Sequence, residues 1–180
     1  MREKLSQGTF LILGDSLIAG YDWQARMPFF KVYTFGVYGE KVQDLLNRLP
    51  EIEEVIPSPD IILIATGISN VIVEDYGIID ILRKIITRLS SSYPNAEIII
   101  NSLPQIKISL QVDGAIQCLN RYLEVLSQEL GCCYLNNFAK NSVPAPNIFL
   151  SDGIHLNDEA YKHWVRSFLE YVSFLLEEEN

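Results

Sequence analysis

Phe10-Leu11-Ile12-Leu13-Gly14-Asp15-Ser16-Leu17 sets a continuous apolar run directly against a small, polar turn. A short apolar run bounded by turn residues is what a strand buried on both faces looks like, because both rows of its alternating side chains need cover. The pattern recurs at Ile61-Ile62-Leu63-Ile64 and Ile98-Ile99-Ile100. Val32-Tyr33-Thr34-Phe35 and Cys133-Tyr134-Leu135 are weaker strand candidates.

Between the runs lie stretches with helical periodicity. Ile78, Ile81, Leu82, Ile85, Ile86 and Leu89 form the clearest stripe. Ala115, Leu119, Tyr122, Leu123, Leu126 and Leu130 form a second, and Tyr161, Trp164, Val165, Phe168, Tyr171, Val172 and Leu175 a third. Val42, Leu45, Leu46 and Leu49 make a shorter one, with Pro50 expected to end it or start a new turn. About five strands alternating with helices predict a parallel sheet in a three-layer α/β/α sandwich, since each parallel crossover must travel back over the sheet. With 180 residues the chain is expected to form one domain.

In such sheets ligands bind beyond the carboxyl ends of the strands. Gly14-Asp15-Ser16-Leu17, Gly36-Val37-Tyr38-Gly39 and Thr66-Gly67-Ile68-Ser69-Asn70 all fall on that edge. Ser151-Asp152-Gly153-Ile154-His155-Leu156-Asn157-Asp158 precedes the last helix, which Asn157 or Asp158 is expected to cap.

These residues carry a family resemblance. Gly14-Asp15-Ser16-Leu17 resembles the name-giving block of the GDSL (SGNH) hydrolases, and Asp152-Gly153-Ile154-His155 their DxxH block. The turn at Gly39 is similar to the second block, and Pro59-Asp60 with the apolar run ending at Gly67 to the third. The resemblance spans nearly the whole chain. It implies a flavodoxin-like sheet of strand order 2-1-3-4-5 and ester hydrolysis through an acyl-enzyme, with no metal or organic cofactor. It also implies three oxyanion donors: the backbone N–H groups of Ser16 and Gly39, and an asparagine side chain in the third block.

The chemistry follows from the residue types as well. A serine hydroxyl needs an adjacent base to become a competent nucleophile. His155 is the histidine that stands in a loop beside a carboxylate, and imidazole can accept and return a proton near neutral pH. Asp152, three residues earlier, can curl back to accept the Nδ1 hydrogen of His155, leaving Nε2 for Ser16. The G-x-S-x-G elbow of the α/β-hydrolases is absent, which favours the GDSL type.

The third block departs from the family. Counting from Asp60 to Gly67 puts Ser69 at the expected asparagine position and Asn70 one residue later. Asn70 is preferred as the donor because a planar NH₂ group donates without its own base. The hydroxyl of Ser69 is one alternative and a hole one donor short is the other.

Several neighbours have plainer readings. Asp15 is expected to tie its turn through backbone hydrogen bonds, and His163 to sit at the surface or pack within its helix. Glu40 and Asp44 read as first-turn helix charges, while Tyr21, Asp22 and Trp23 either line the pocket mouth or pack. Cys118, Cys132 and Cys133 read as small apolar core residues in a reducing compartment.

A net charge of −9 argues against nucleic acid and anionic partners. Hydrophobic residues make up 48% of the chain and charged ones 21%, which fits a folded protein, yet no apolar segment of about 20 residues could span a membrane. Met1 to Gly8 lacks a signal-peptide core, so a complete chain is expected in the cytoplasm. The expected substrate is a small ester with a short acyl group, since short loops leave little material for a lid. Two rival readings are a catalytically silent binding module of the same family and a flavodoxin-like nucleotide or flavin binder. The latter lacks both a G-x-G-x-x-G and a P-loop motif. Oligomeric state is not legible.

Overall fold

A computed structural model describes residues 8–108, 110–138 and 148–178. Met1 to Gln7 and the side chains of Glu177-Glu178-Glu179 lie outside the described residues. The elements run β1 (Thr9–Gly14), α1 (Ser16–Ala19), α2 (Trp23–Arg26), β2 (Lys31–Gly36), α3 (Val42–Val55), β3 (Ile61–Ala65), α4 (Ile68–Ile72), α5 (Ile79–Ser92), β4 (Glu97–Asn101), α6 (Leu110–Leu130), β5 (Cys133–Leu135) and α7 (Asp158–Glu178). The five strands are all parallel, in the order 2-1-3-4-5 that the resemblance implies.

Burial explains which strands were plain in the sequence. Residues 10–14 of β1, all of β3 and 98–101 of β4 are buried, because these strands are inner and covered on both faces. The weaker candidates β2 and β5 are the two edges, so Lys31 and Thr34 can face water and apolar continuity is not required.

Helices flank the sheet. Helix α3 packs on α5 and α5 on α6. Helix α7 meets α1 and α2 through Trp164 and Tyr161: Trp23 and Trp164 pack edge to face at 4.9 Å, and the Tyr161 hydroxyl donates to the Leu17 carbonyl at 2.8 Å. Two expectations need correction. Pro50 does not end α3, which continues to Val55 because Ile52 and Ile56 still bury on its apolar side and Tyr93 Oη donates to the Ile56 carbonyl. Tyr122 is exposed, one step off the buried row Leu119, Leu123 and Leu126.

Cys118 is exposed rather than in the core, while Cys132 and Cys133 are half-buried; all three thiols are free. Burial pushes the Cys132 thiol up to about 11, which keeps it protonated and unreactive.

The register brings Gly14, Gly36 and Ala65 side by side at the carboxyl edge. A Cβ on Gly14 would lie 2.0 Å from the Ala65 carbonyl oxygen, and one on Gly36 2.2 Å from the Ala19 nitrogen. Only glycine lets α1 sit this tightly over the ends of β1 and β2. The serine turn is thereby pressed onto the sheet edge.

Candidate active site

Ser16 is the first residue of α1 and is 8% exposed. The turn that carries it is built by Asp15, whose carboxylate is fully buried. One oxygen accepts the Leu17 N–H at 3.1 Å; the other accepts the N–H groups of Gly67 and Ile68, each at 3.1 Å, and the Ser69 N–H also points to this carboxylate. Asp15 thus does what the sequence suggested and more, joining the serine turn to the loop after β3. Burial lifts its carboxyl to about 6 despite those four donors.

His155 and Asp152 meet as expected. Nδ1 of His155 lies 2.7 Å from Asp152 Oδ2, while Asp152 Oδ1 accepts the backbone N–H groups of Ile154 and His155, each at 2.9 Å. The His155 ring, then these two N–H groups, hold the Asp152 carboxyl down at about 2. Asp152 is therefore an anion at any working pH, and the proton on the ring is drawn to Nδ1.

The loop is pinned on several sides. Leu150 N–H donates to the His155 carbonyl at 2.7 Å, Lys107 N–H to the Gly153 carbonyl at 2.8 Å, and Asn157 Oδ1 accepts Ala160 N–H at 2.9 Å as the cap of α7. The first turn of α7 also reaches α1 through Tyr161–Leu17 and α2 through an Arg26–Asp158 ion pair at 3.1 Å. Among the described residues neither the Ser16 hydroxyl nor the His155 Nε2 is engaged in another hydrogen bond, and the two make no direct bond to each other.

Gly39 is exposed, with φ +72 and open space where a Cβ would stand. Its requirement for glycine comes from the left-handed backbone, and the open space leaves room for a ligand. Glu40 beside it is no simple first-turn charge. It is 5% exposed and paired with Arg48, whose Nη2 donates at 2.8 Å both to Glu40 Oε2 and to the Phe35 carbonyl. Asp44 is the first-turn charge expected, and it also accepts the Lys41 N–H at 3.1 Å.

The Asn70 amide is fully engaged within the protein. Its side chain is 0% exposed; Oδ1 accepts the Val42 N–H at 2.9 Å, and Nδ2 donates to Gln43 Oε1 at 2.9 Å and Asp75 Oδ2 at 2.8 Å. Both amide hydrogens are spent, which weighs against Asn70 as an oxyanion donor. Ser69 is half-buried and its hydroxyl makes no hydrogen bond among the described residues.

The remaining neighbours are structural. Trp23 is buried with Nε1 donating to the Ile18 carbonyl, Asp22 caps α2 through Ala25 N–H, and Tyr21 stacks on Tyr161 at 4.2 Å. His163 contacts Ser167 within α7. Sequence reasoning passed over Gln43, Asp75 and Arg48, which have no motif of their own. Only proximity to the blocks, at Gln43 and Asp75, could have drawn attention to them.

Strand order 2-1-3-4-5 with the site loops gathered at the carboxyl edge defines an α/β/α domain of the flavodoxin-like kind. The model of the GDSL-like lipase/acylhydrolase family matches residues 12–163, and the chain belongs to that family. No curated protein matches the chain. Solved structures do. A lipolytic G-D-S-L family protein from Veillonella parvula is similar at 18% identity and TM-score 0.76, covering 91% of this chain and 97% of that one. An acetylxylan esterase from Geobacillus stearothermophilus is similar at 18% identity and TM-score 0.73, covering 91% and 93%. TesA gives 16% identity, TM-score 0.75, and 90% and 96% coverage.

Proposed function

We propose that this chain is a serine esterase that cleaves small carboxylic esters with short acyl groups. Ser16 Oγ attacks the ester carbonyl while His155 Nε2 takes its proton; the imidazolium then protonates the departing alkoxide, leaving an acyl-Ser16 ester and a free alcohol. A water deprotonated by His155 attacks that ester, and the carboxylic acid leaves as Ser16 recovers its proton. Asp152 orients the ring throughout and stabilises its charged form. No cofactor enters any step.

The observation that carries this reading is the 2.7 Å contact from His155 Nδ1 to Asp152 Oδ2, with Asp152 Oδ1 locked by two backbone N–H groups. That arrangement has one outcome for the ring: a basic nitrogen at Nε2.

The oxyanion forms where the Ser16 and Gly39 N–H groups converge, and the third donor in this reading is the hydroxyl of Ser69, since the amide of Asn70 is occupied. The acetylxylan esterase among the similar structures supports an acetyl-sized acyl group. A net charge of −9 disfavours anionic esters.

Hydrolysis of p-nitrophenyl acetate, compared with the palmitate ester, tests the proposal. Turnover should favour the acetate, vanish in Ser16→Ala, and fall by about 10²–10⁴ in His155→Ala. Wild-type rates in Ser16→Ala would overturn it.

A further inference from the structure

Three loops carry the proposed oxyanion donors: the turn at Ser16, the loop holding Gly39, and the loop after β3 holding Ser69. They are distant in sequence, yet the donors must converge on one atom. Two buried polar side chains join the loops in series. Asp15 links the first to the third, as described above. Asn70 links the third to the second, because its Oδ1 accepts the N–H of Val42, the first residue of α3 and three beyond Gly39.

The orientation of the Asn70 amide is fixed by chemistry rather than chosen. A backbone N–H can only donate, so the atom facing Val42 must be the oxygen; a carboxylate can only accept, so the atom facing Asp75 must be the nitrogen. Gln43 closes the set, accepting from Asn70 Nδ2 at 2.9 Å and donating Nε2 to Asp75 Oδ2 at 3.1 Å. The Asn70 carbonyl, in turn, accepts the N–H of Asp75 at 2.9 Å. The hydrogen bonds from Asn70 and Gln43 hold the Asp75 carboxyl below its usual range, so the clamp persists in mild acid.

The stretch before Gly39 is held by Val37 N–H on the Gly14 carbonyl at 3.2 Å, and Glu40, which lies between Gly39 and Val42, is held by Arg48. Asn70 ties the Val42 end of this loop to the loop after β3.

We infer that Asn70, locked by Gln43 and Asp75, is a positioning residue that sets the Gly39 N–H against the Ser16 N–H, and is not itself an oxyanion donor. The inference rests on the esterase reading and deepens it. A donor displaced by about 1 Å can cost about 100-fold in turnover while leaving ground-state binding intact. The signature is therefore a fall in kcat at constant KM, with an equal loss of affinity for a trifluoromethyl ketone, whose adduct with Ser16 presents a tetrahedral oxyanion.

The experiment uses the full chain and the variants Asn70→Ala, Gln43→Ala, Asp75→Ala, Asp75→Asn, Asn70→Asp and the Asn70→Asp/Asp75→Asn pair. Asp75→Ala should lower kcat by about 10–100-fold at unchanged KM, and Asp75→Asn should recover most of that loss, because its carbonyl accepts both hydrogen bonds. Asn70→Asp sets two carboxylates together and should be poor; the paired variant, which exchanges charge and amide, should regain turnover. Amide exchange at Val42, read without substrate, should quicken in Asn70→Ala and Asp75→Ala and return towards wild type in the pair. If Asn70→Ala alone loses turnover while Gln43→Ala and Asp75→Ala keep it, Asn70 donates directly and the inference is wrong. Failure of the esterase reading would appear differently, as no turnover in wild type, and the exchange at Val42 would still decide the clamp.

Discussion

Asp15 is a carboxylate placed where water cannot reach it, surrounded by four N–H donors. Its pKa rises from 3.8 to about 6, so the folded chain binds this proton more tightly than the unfolded chain does. A raised acid contributes most below its unfolded value. Stability should therefore fall as pH rises from about 4 to 6, by on the order of 3 kcal/mol from this group. Asp15→Asn should flatten that slope, yet it places an NH₂ against backbone donors and should lower stability at pH 4 by roughly 1–3 kcal/mol for each N–H stranded. Urea unfolding at a series of pH values measures both effects; an unchanged slope in the variant would assign it to another group. At this scale the sequence told much. The Asp152–His155 contact was legible because the two residues lie three apart. Asn70 could be named but not assigned, because its role depends on which way an amide faces. That direction is set by the Val42 N–H, 28 positions away, and by the Asp75 carboxylate.

Among the elements, α7 anchors the loop that carries His155. Its cap at Asn157 fixes where the loop of Asp152 and His155 ends, and its Tyr161 hydroxyl grips the Leu17 carbonyl one residue beyond Ser16. Tyr161 is 5% exposed and stacks on Tyr21, so Tyr161→Phe keeps the packing and removes one buried hydrogen bond. A loss of about 1–2 kcal/mol, or roughly 2–8 °C in Tm, is expected. Calorimetry measures it, and an unchanged Tm would show that the bond holds nothing in place. Inner strands and striped helices were legible at this scale because burial forces apolar continuity. The edges β2 and β5 were faint for the converse reason, and Pro50 misled because tertiary burial of Ile52 and Ile56 outweighs one missing hydrogen bond.

For the whole molecule, strand order decides where chemistry can gather. Placing β1 between β2 and β3 brings the turns after all three strands into one row, so residues 16, 39 and 69 share an edge without any long loop. Alternation of strands and helices predicted the parallel sheet, but the order itself came from the resemblance, since periodicity says nothing about which strands are neighbours. The opposite edge carries a shallow cleft of about 140 Å³ between Pro57–Pro59 and Tyr93–Ala96, with no charged side chain to lend it chemistry. Among the described residues no helix is long and apolar enough to cross a membrane.

The account turns on a single activated hydroxyl, and a fluorophosphonate reports it directly. Incubated with the folded protein and analysed by intact mass and peptide mapping, the probe should add once, on Ser16. The adduct should be absent in Ser16→Ala and form far more slowly in His155→Ala. Folded wild-type protein that gains no mass, or that carries the adduct on another residue, would contradict the account.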